Sequence, residues 1–169
     1  MQVFVNTLDI ENGVDELSGP AALATVLEEA GVGEPGLRPT AADARTALDV
    51  REALRALLLA NNGEARDPAA QETLERAARR ARLEPEFGAA ALVPRAGGVD
   101  GAIGQVLAAA FAAMLDGSWR RLKACPREVC GWAFYDRSSN ASATWCSMQV
   151  CGGRAKAGAY YRRRRAAGN

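Results

Sequence analysis

Apolar residues recur along the first two-thirds of this chain at intervals of three and four, the spacing of a helix face. In LSGPAALATVLEEAG the stripe is Leu23, Val26, Leu27 and Ala30. Ser18 or Gly19 can cap it, Pro20 suits the first turn and Gly31 can end it. TAADARTALDVREALRALLLANNG carries the strongest pattern, with Ala47, Val50, Leu54, Leu57 and Leu58 on one side. Thr40 is a candidate cap, and Asn61, Asn62 and Gly63 stop the helix. A third helix is predicted over DPAAQETLERAARRARLE, opened by Asp67 and Pro68, with a thin face of Leu74, Ala77, Ala78 and Ala81. The interrupted segment PEFGAAALVPRAGG predicts one or two strands. VDGAIGQVLAAAFAAMLDG is a fourth helix, with Ile103, Val106, Leu107, Ala110, Phe111 and Met114 on one side. FVNTL near the start fits a short strand or the lead into a helix. These elements predict a helical domain with little strand over residues 1–118.

Around Gly117 to Ala124 the composition changes, which sets the expected boundary of a second unit over residues 119–169. The overall charge of +1 conceals the change. Residues 1–118 carry ten Lys/Arg against eighteen Asp/Glu, a net −8; residues 119–169 carry eleven against two, a net +9. Such a split suggests that the second part faces a polyanion, or that the two parts attract each other. No run of eighteen apolar residues stands out, and the first residues lack a basic flank and an apolar core. A cytoplasmic protein with no membrane partner is therefore expected.

Histidine is absent, which excludes Ser-His-Asp and Cys-His catalysis and removes the commonest general base. No enzyme is expected. In the first part, Asn6, Thr7 and Asp9 lie close together in NTLD, and Arg51 and Arg55 sit one helical turn apart. Asn6, Asp9, Arg51 and Arg55 are candidates for a pocket that binds an acidic small-molecule effector. The alternatives are turn capping for the first group and a solvated, ion-paired face for the arginines.

All four cysteines lie in the basic part. Cys125 and Cys130 are separated by four residues, as are Cys146 and Cys151, and fifteen lie between the pairs. Two short-spaced pairs joined by such a spacer are a zinc pattern, because each tight turn converges two sulfurs and the spacer closes the tetrahedron. Four thiolates with no further ligand predict one structural Zn²⁺. Its net charge of −2 can be offset by Lys123, Arg127, Arg154 and Lys156. Two disulfides are the alternative, poorly suited to a reducing compartment. The order is a first knuckle (CPREVC), a strand (GWAFYD), a polar turn (RSSNASAT), a second knuckle (WCSMQVC) and a closing helix. That order predicts a small α+β module like a treble-clef finger, with Trp132, Phe134 and Trp145 packed around the metal. The fold class is thus mainly α with a C-terminal zinc finger.

The pattern C…C…W.F.D.S……WCSM..CG.R.K resembles the CGNR zinc finger. FVNTLD near the start, REALRALLLA on the second helix and the alanine-rich helix before the finger resemble the bacterial ABATE domain that precedes it. The resemblance implies a stress-linked transcription regulator whose finger binds DNA. Two departures stand out: Gly153 replaces the asparagine of the naming motif, and NASAT replaces an arginine-rich stretch before Trp145. The candidate nucleic-acid contacts are Arg137, Arg154, Lys156, Arg162, Arg163, Arg164 and Arg165, since arginine meets phosphate with two hydrogen bonds. The expected function is a zinc-binding DNA-binding regulator, with the helical domain sensing a ligand or forming a homodimer. The alternative is an RNA- or acidic-protein-binding module with zinc as scaffold.

Overall fold

The computed structural model describes residues 1–167. A single helical turn, α1 (Gln2–Val5), leads into a small hairpin of β1 (Leu8–Asp9) and β2 (Val14–Asp15). Then come α2 (Pro20–Glu29), α3 (Ala41–Ala60) and α4 (Pro68–Arg80). An antiparallel hairpin, β3 (Leu83–Glu86) and β4 (Ala91–Pro94), precedes α5 (Gly98–Leu115). The rest is a third hairpin, β5 (Leu122–Ala124) and β6 (Ala133–Tyr135), and the closing helix α6 (Gly153–Ala167). This is the mainly helical architecture that the periodicity predicts, with the small α+β finger that the cysteine spacing and segment order predict.

The helix starts follow their capping chemistry. The Thr40 hydroxyl accepts from the Asp43 N–H at 3.2 Å, and the Asp43 carboxylate accepts from the Thr40 N–H at 2.8 Å, a reciprocal box. Asp67 accepts from the Ala69 N–H at 2.9 Å with Pro68 in the first turn. α4 stops at Arg80, short of the predicted end, because Arg82 takes φ +50° and turns the chain into β3.

α3 is the central helix, packing against α1, α2, α4, α5 and β5. Val50, Leu54 and Leu58 join Leu23 and Leu27 of α2 and Ile103 of α5 in one buried cluster. α5 reaches a mean hydropathy of 1.5 over 18 residues, long and apolar enough to cross a membrane. Eight of its residues are buried instead, six of them in this core. Ala124 of β5 and Ala133 of β6 are fully buried in the same cluster. They face each other in the hairpin register. The β5–β6 hairpin thus closes the helical core rather than hanging from it.

Candidate metal centre

β5 delivers Cys125 at its end, where the Cys125 N–H donates to the Trp132 carbonyl at 2.9 Å. The chain turns through Arg127, whose carbonyl accepts from the N–H groups of Cys130 and Gly131 at 2.8 and 3.2 Å. Gly131 stands at φ +58°, and a Cβ there would lie 2.9 Å from Ile10 Cδ1 and 3.2 Å from Arg55 Nη1. Only glycine returns the chain into β6 at this point. The second pair is shaped by Ser147, whose hydroxyl accepts from the Val150 N–H and whose carbonyl accepts from Gly152 at 3.0 Å. A wide π-type turn over Met148–Gly152 then carries Cys151 inward. A Cβ on Gly152 would meet Met148 Sδ at 2.4 Å, whereas the nearest atom to one on Gly153 is 3.8 Å away. The motif asparagine absent at Gly153 therefore has room.

The four Sγ atoms lie within 4.8 Å of one another, with Cys130–Cys146 at 3.6 Å and Cys146–Cys151 at 3.7 Å. A zinc–sulfur bond of about 2.3 Å implies a tetrahedral edge of roughly 3.8 Å, so the sulfurs fit one ion. A disulfide needs about 2.05 Å, and all four thiols are free. Cys125 and Cys151 are buried, Cys130 and Cys146 half-buried. With four protein ligands the site is closed, so the zinc it holds is structural.

Burial, with the neighbouring Cys125 and Cys151 sulfurs, pushes the Cys130 thiol up to about 11. Burial and the other three sulfurs raise Cys146 as well. Burial also opposes ionisation of Cys151, but hydrogen bonds from Arg127, at 3.9 Å, and from the other thiols hold it below its ordinary value. Zinc binding therefore has to displace protons that burial holds on Cys130 and Cys146. Of the cations expected to offset the cluster, Arg127 touches it. Lys123 does not: its ammonium donates to Asp136 Oδ2 at 2.7 Å and to the Ala141 and Ala143 carbonyls at 2.7 and 2.9 Å. This buried pair pins the polar turn. Asp136 also accepts from the Ser138 N–H and hydroxyl and the Ala143 N–H. Burial opposes its charge, yet these donors hold its carboxyl far below the usual range. Of the three aromatics expected around the metal, Phe134 is buried and Trp145 lies beside Gly152, but Trp132 is exposed at the surface.

The candidate ligand pocket does not assemble. Asn6 reads the Ala133 backbone, donating to its carbonyl at 2.9 Å and accepting its N–H at 2.7 Å. Asp9 accepts from the Asn12 N–H and side chain, closing the β1–β2 turn. Arg51 is buried in a two-pronged pair with Asp15, at 2.6 and 2.9 Å, and also binds Glu52. Burial works against the charge on Arg51, but Asp15 and Glu52 raise its pKa; the Arg51 bond in turn lowers that of Asp15. Arg55 is also buried. It donates from Nε to Glu52, from Nη1 to the Gly131 carbonyl and from Nη2 to the Val5 carbonyl at 2.8 Å. It borders a cavity of about 300 Å³ with Ile10, Leu59, Cys125 and Pro126, but its nitrogens are all engaged within the protein. Asn6 and Arg55 thus hold the finger, while Asp9 and Arg51 bond within the helical domain.

Sequence reasoning missed other parts of this grip. Asn61 and Asn62, read as a helix stop, donate at 2.7–2.9 Å to the carbonyls of Trp119, Leu122, Ala124 and Thr144. Glu11 pairs with both Arg127 and Arg154 of the finger. The doubled asparagine at a helix end was the available signal; nothing in the sequence singles out Glu11.

Among the candidate nucleic-acid contacts, Arg154 is held by Glu11, and Arg137 is exposed after β6. Lys156, Arg163, Arg164 and Arg165 are exposed along α6. The Arg162 side chain lies outside the described residues.

Two family profiles match. One, described as "Putative stress-induced transcription regulator" (ABATE), covers residues 2–118. The other, the CGNR zinc finger, covers residues 121–164. A search of curated proteins finds no match. With the first profile spanning well over half of the chain and the second covering the four-cysteine site, this protein belongs to the ABATE family and carries a CGNR zinc finger.

Proposed function

We propose that this protein is a cytoplasmic, zinc-dependent regulator of transcription that binds duplex DNA through α6. The observation that carries the reading is the placement of that helix. Its first turn is fixed by the metal ligand Cys151, and the rest presents Lys156, Arg163, Arg164 and Arg165 to solvent. Among the described residues, no carboxylate within salt-bridge distance neutralises these four. A metal site that restrains the chain at the helix start lets a short basic helix approach phosphate in one orientation. Zinc itself takes no part in chemistry here, and the reading assigns no catalysis.

Release of about four counterions predicts that log affinity falls against log salt with a slope of about −3.6. The test is selection of the zinc-loaded protein against randomised duplex DNA at near-physiological salt. Enrichment of a defined motif supports a sequence-reading regulator. Absence of binding to any duplex sinks the reading. A second reading, single-stranded RNA, is favoured by the exposed rings of Tyr160 and Tyr161 on the same helix, which offer stacking faces among the cations. Preference for single strands over the duplex in competition assigns it.

A further inference from the structure

α5 carries no charged residue from Gly101 to Leu115, and the hairpin beside it carries none from Phe87 to Pro94. In a chain that is 24% charged, these two stretches meet on one face. The core takes one side of α5, including Ile103, Val106 and Leu107. The opposite side offers Ala108, Phe111, Ala112 and Leu115. With Phe87 and Leu92 of the hairpin they line an apolar groove of about 540 Å³. Phe87 is 92% exposed, Leu115 75% and Phe111 44%. With the exposed alanines 89–91 and Ala112, the patch covers roughly 600 Å², at the upper limit for a free monomer surface.

We infer that this face is the interface of a homodimer, in which α5 and the β3–β4 hairpin of one copy pack on the same elements of a second around a two-fold axis. Three observations select a second copy as the occupant. The projecting Phe87 ring and the groove lie on the same patch, which an isologous contact requires, since each copy must offer both knob and hole. The patch opposes no like charges when it meets itself. The carboxylate at its rim, Glu86, is paired with Arg95 of the same chain at 3.2 Å. Finally, pairing removes about 1,200 Å² from water, the lower bound for a specific interface. An anionic bilayer would meet Glu86 and no cation in the groove lining. A small apolar ligand would fill the groove and leave most of Phe87 in water.

The test is sedimentation velocity on the full zinc-loaded chain over a concentration series, with Phe87→Ser, Leu115→Gln and Phe87→Trp alongside. Wild type and Phe87→Trp are expected at twice the chain mass of 17.8 kDa. Phe87→Ser and Leu115→Gln each weaken the dimer at least tenfold while keeping the wild-type circular dichroism and zinc content. Both positions are solvent-exposed in the single chain, so neither substitution disturbs its core. A wild type that stays at 17.8 kDa throughout overturns the inference. So does a dimer indifferent to both polar substitutions, or a monomer that binds a fluorescent fatty acid in the groove. The nucleic-acid reading is untouched by any of these results.

Discussion

Removing zinc should destabilise the helical domain and not only the finger. Ala124 and Ala133 sit in the main hydrophobic cluster. Asn6, Arg55, Asn61 and Asn62 together donate six hydrogen bonds across the junction, to the carbonyls of Ala133, Gly131, Trp119, Leu122, Ala124 and Thr144. A structural zinc supplies about 10–16 kcal/mol of apparent folding free energy, far more than a 45-residue module can replace from its own core. Once the finger loses its shape, those contacts are lost. At about 1 kcal/mol net for each hydrogen bond, the helical domain loses around 6 kcal/mol. For a chain of this size that corresponds to a fall in Tm of roughly 12–24 °C. The assay is thermal unfolding followed by far-ultraviolet circular dichroism and calorimetry, with zinc and with excess chelator. The holo protein should melt in one transition, and the apo protein should melt at lower temperature with its helical signal moving too. A helical transition that stays within 2 °C of the holo value after chelation would refute the shared core.

Four further outcomes follow from the same contacts. Gly131→Ala forces a side chain into positive φ beside Ile10 and Arg55; a loss of about 2–3 kcal/mol is expected in urea denaturation, and wild-type stability would contradict it. Lys123→Met leaves the Asp136 carboxylate buried without its cation. This should cost about 3–5 kcal/mol, and adding Asp136→Asn should recover part of it. Because Arg51 holds the Asp15 carboxyl below its ordinary value, that pair stabilises the fold above about pH 3.9 and is lost as pH falls through the lower, folded-state value. Asp15→Asn should therefore flatten the acid limb of the Tm–pH profile; an unchanged limb would exclude the pair as a contributor. Glu11→Gln releases Arg127 and Arg154 and should tighten nucleic-acid binding, steepening the salt slope by about 1–2. Equal or weaker binding would show that these arginines lie off the contact surface.

Much of this protein is written in local pattern. The helices α2 to α5 follow from apolar spacing together with Thr40, Asp67 and Pro68, because capping and periodicity act within a few residues. The metal site is legible for the same reason: two short loops each converge two sulfurs, and the spacing of Cys125, Cys130, Cys146 and Cys151 records those loops directly. What tertiary structure alone decided is the purpose of the polar residues between these elements. Asn6 and Arg55 read as ligand-binding groups, and Lys123 as a counter-charge for the metal. Their partners, Ala133, Gly131 and Asp136, lie 127, 76 and 13 residues away. A side chain's donors are visible in sequence, but which carbonyl meets them is set by how the two parts dock. The charge split between the two parts was visible. That Glu11 meets Arg127 and Arg154 across the junction was not, because a Coulombic pair depends on distance in space and leaves no periodic trace along the chain.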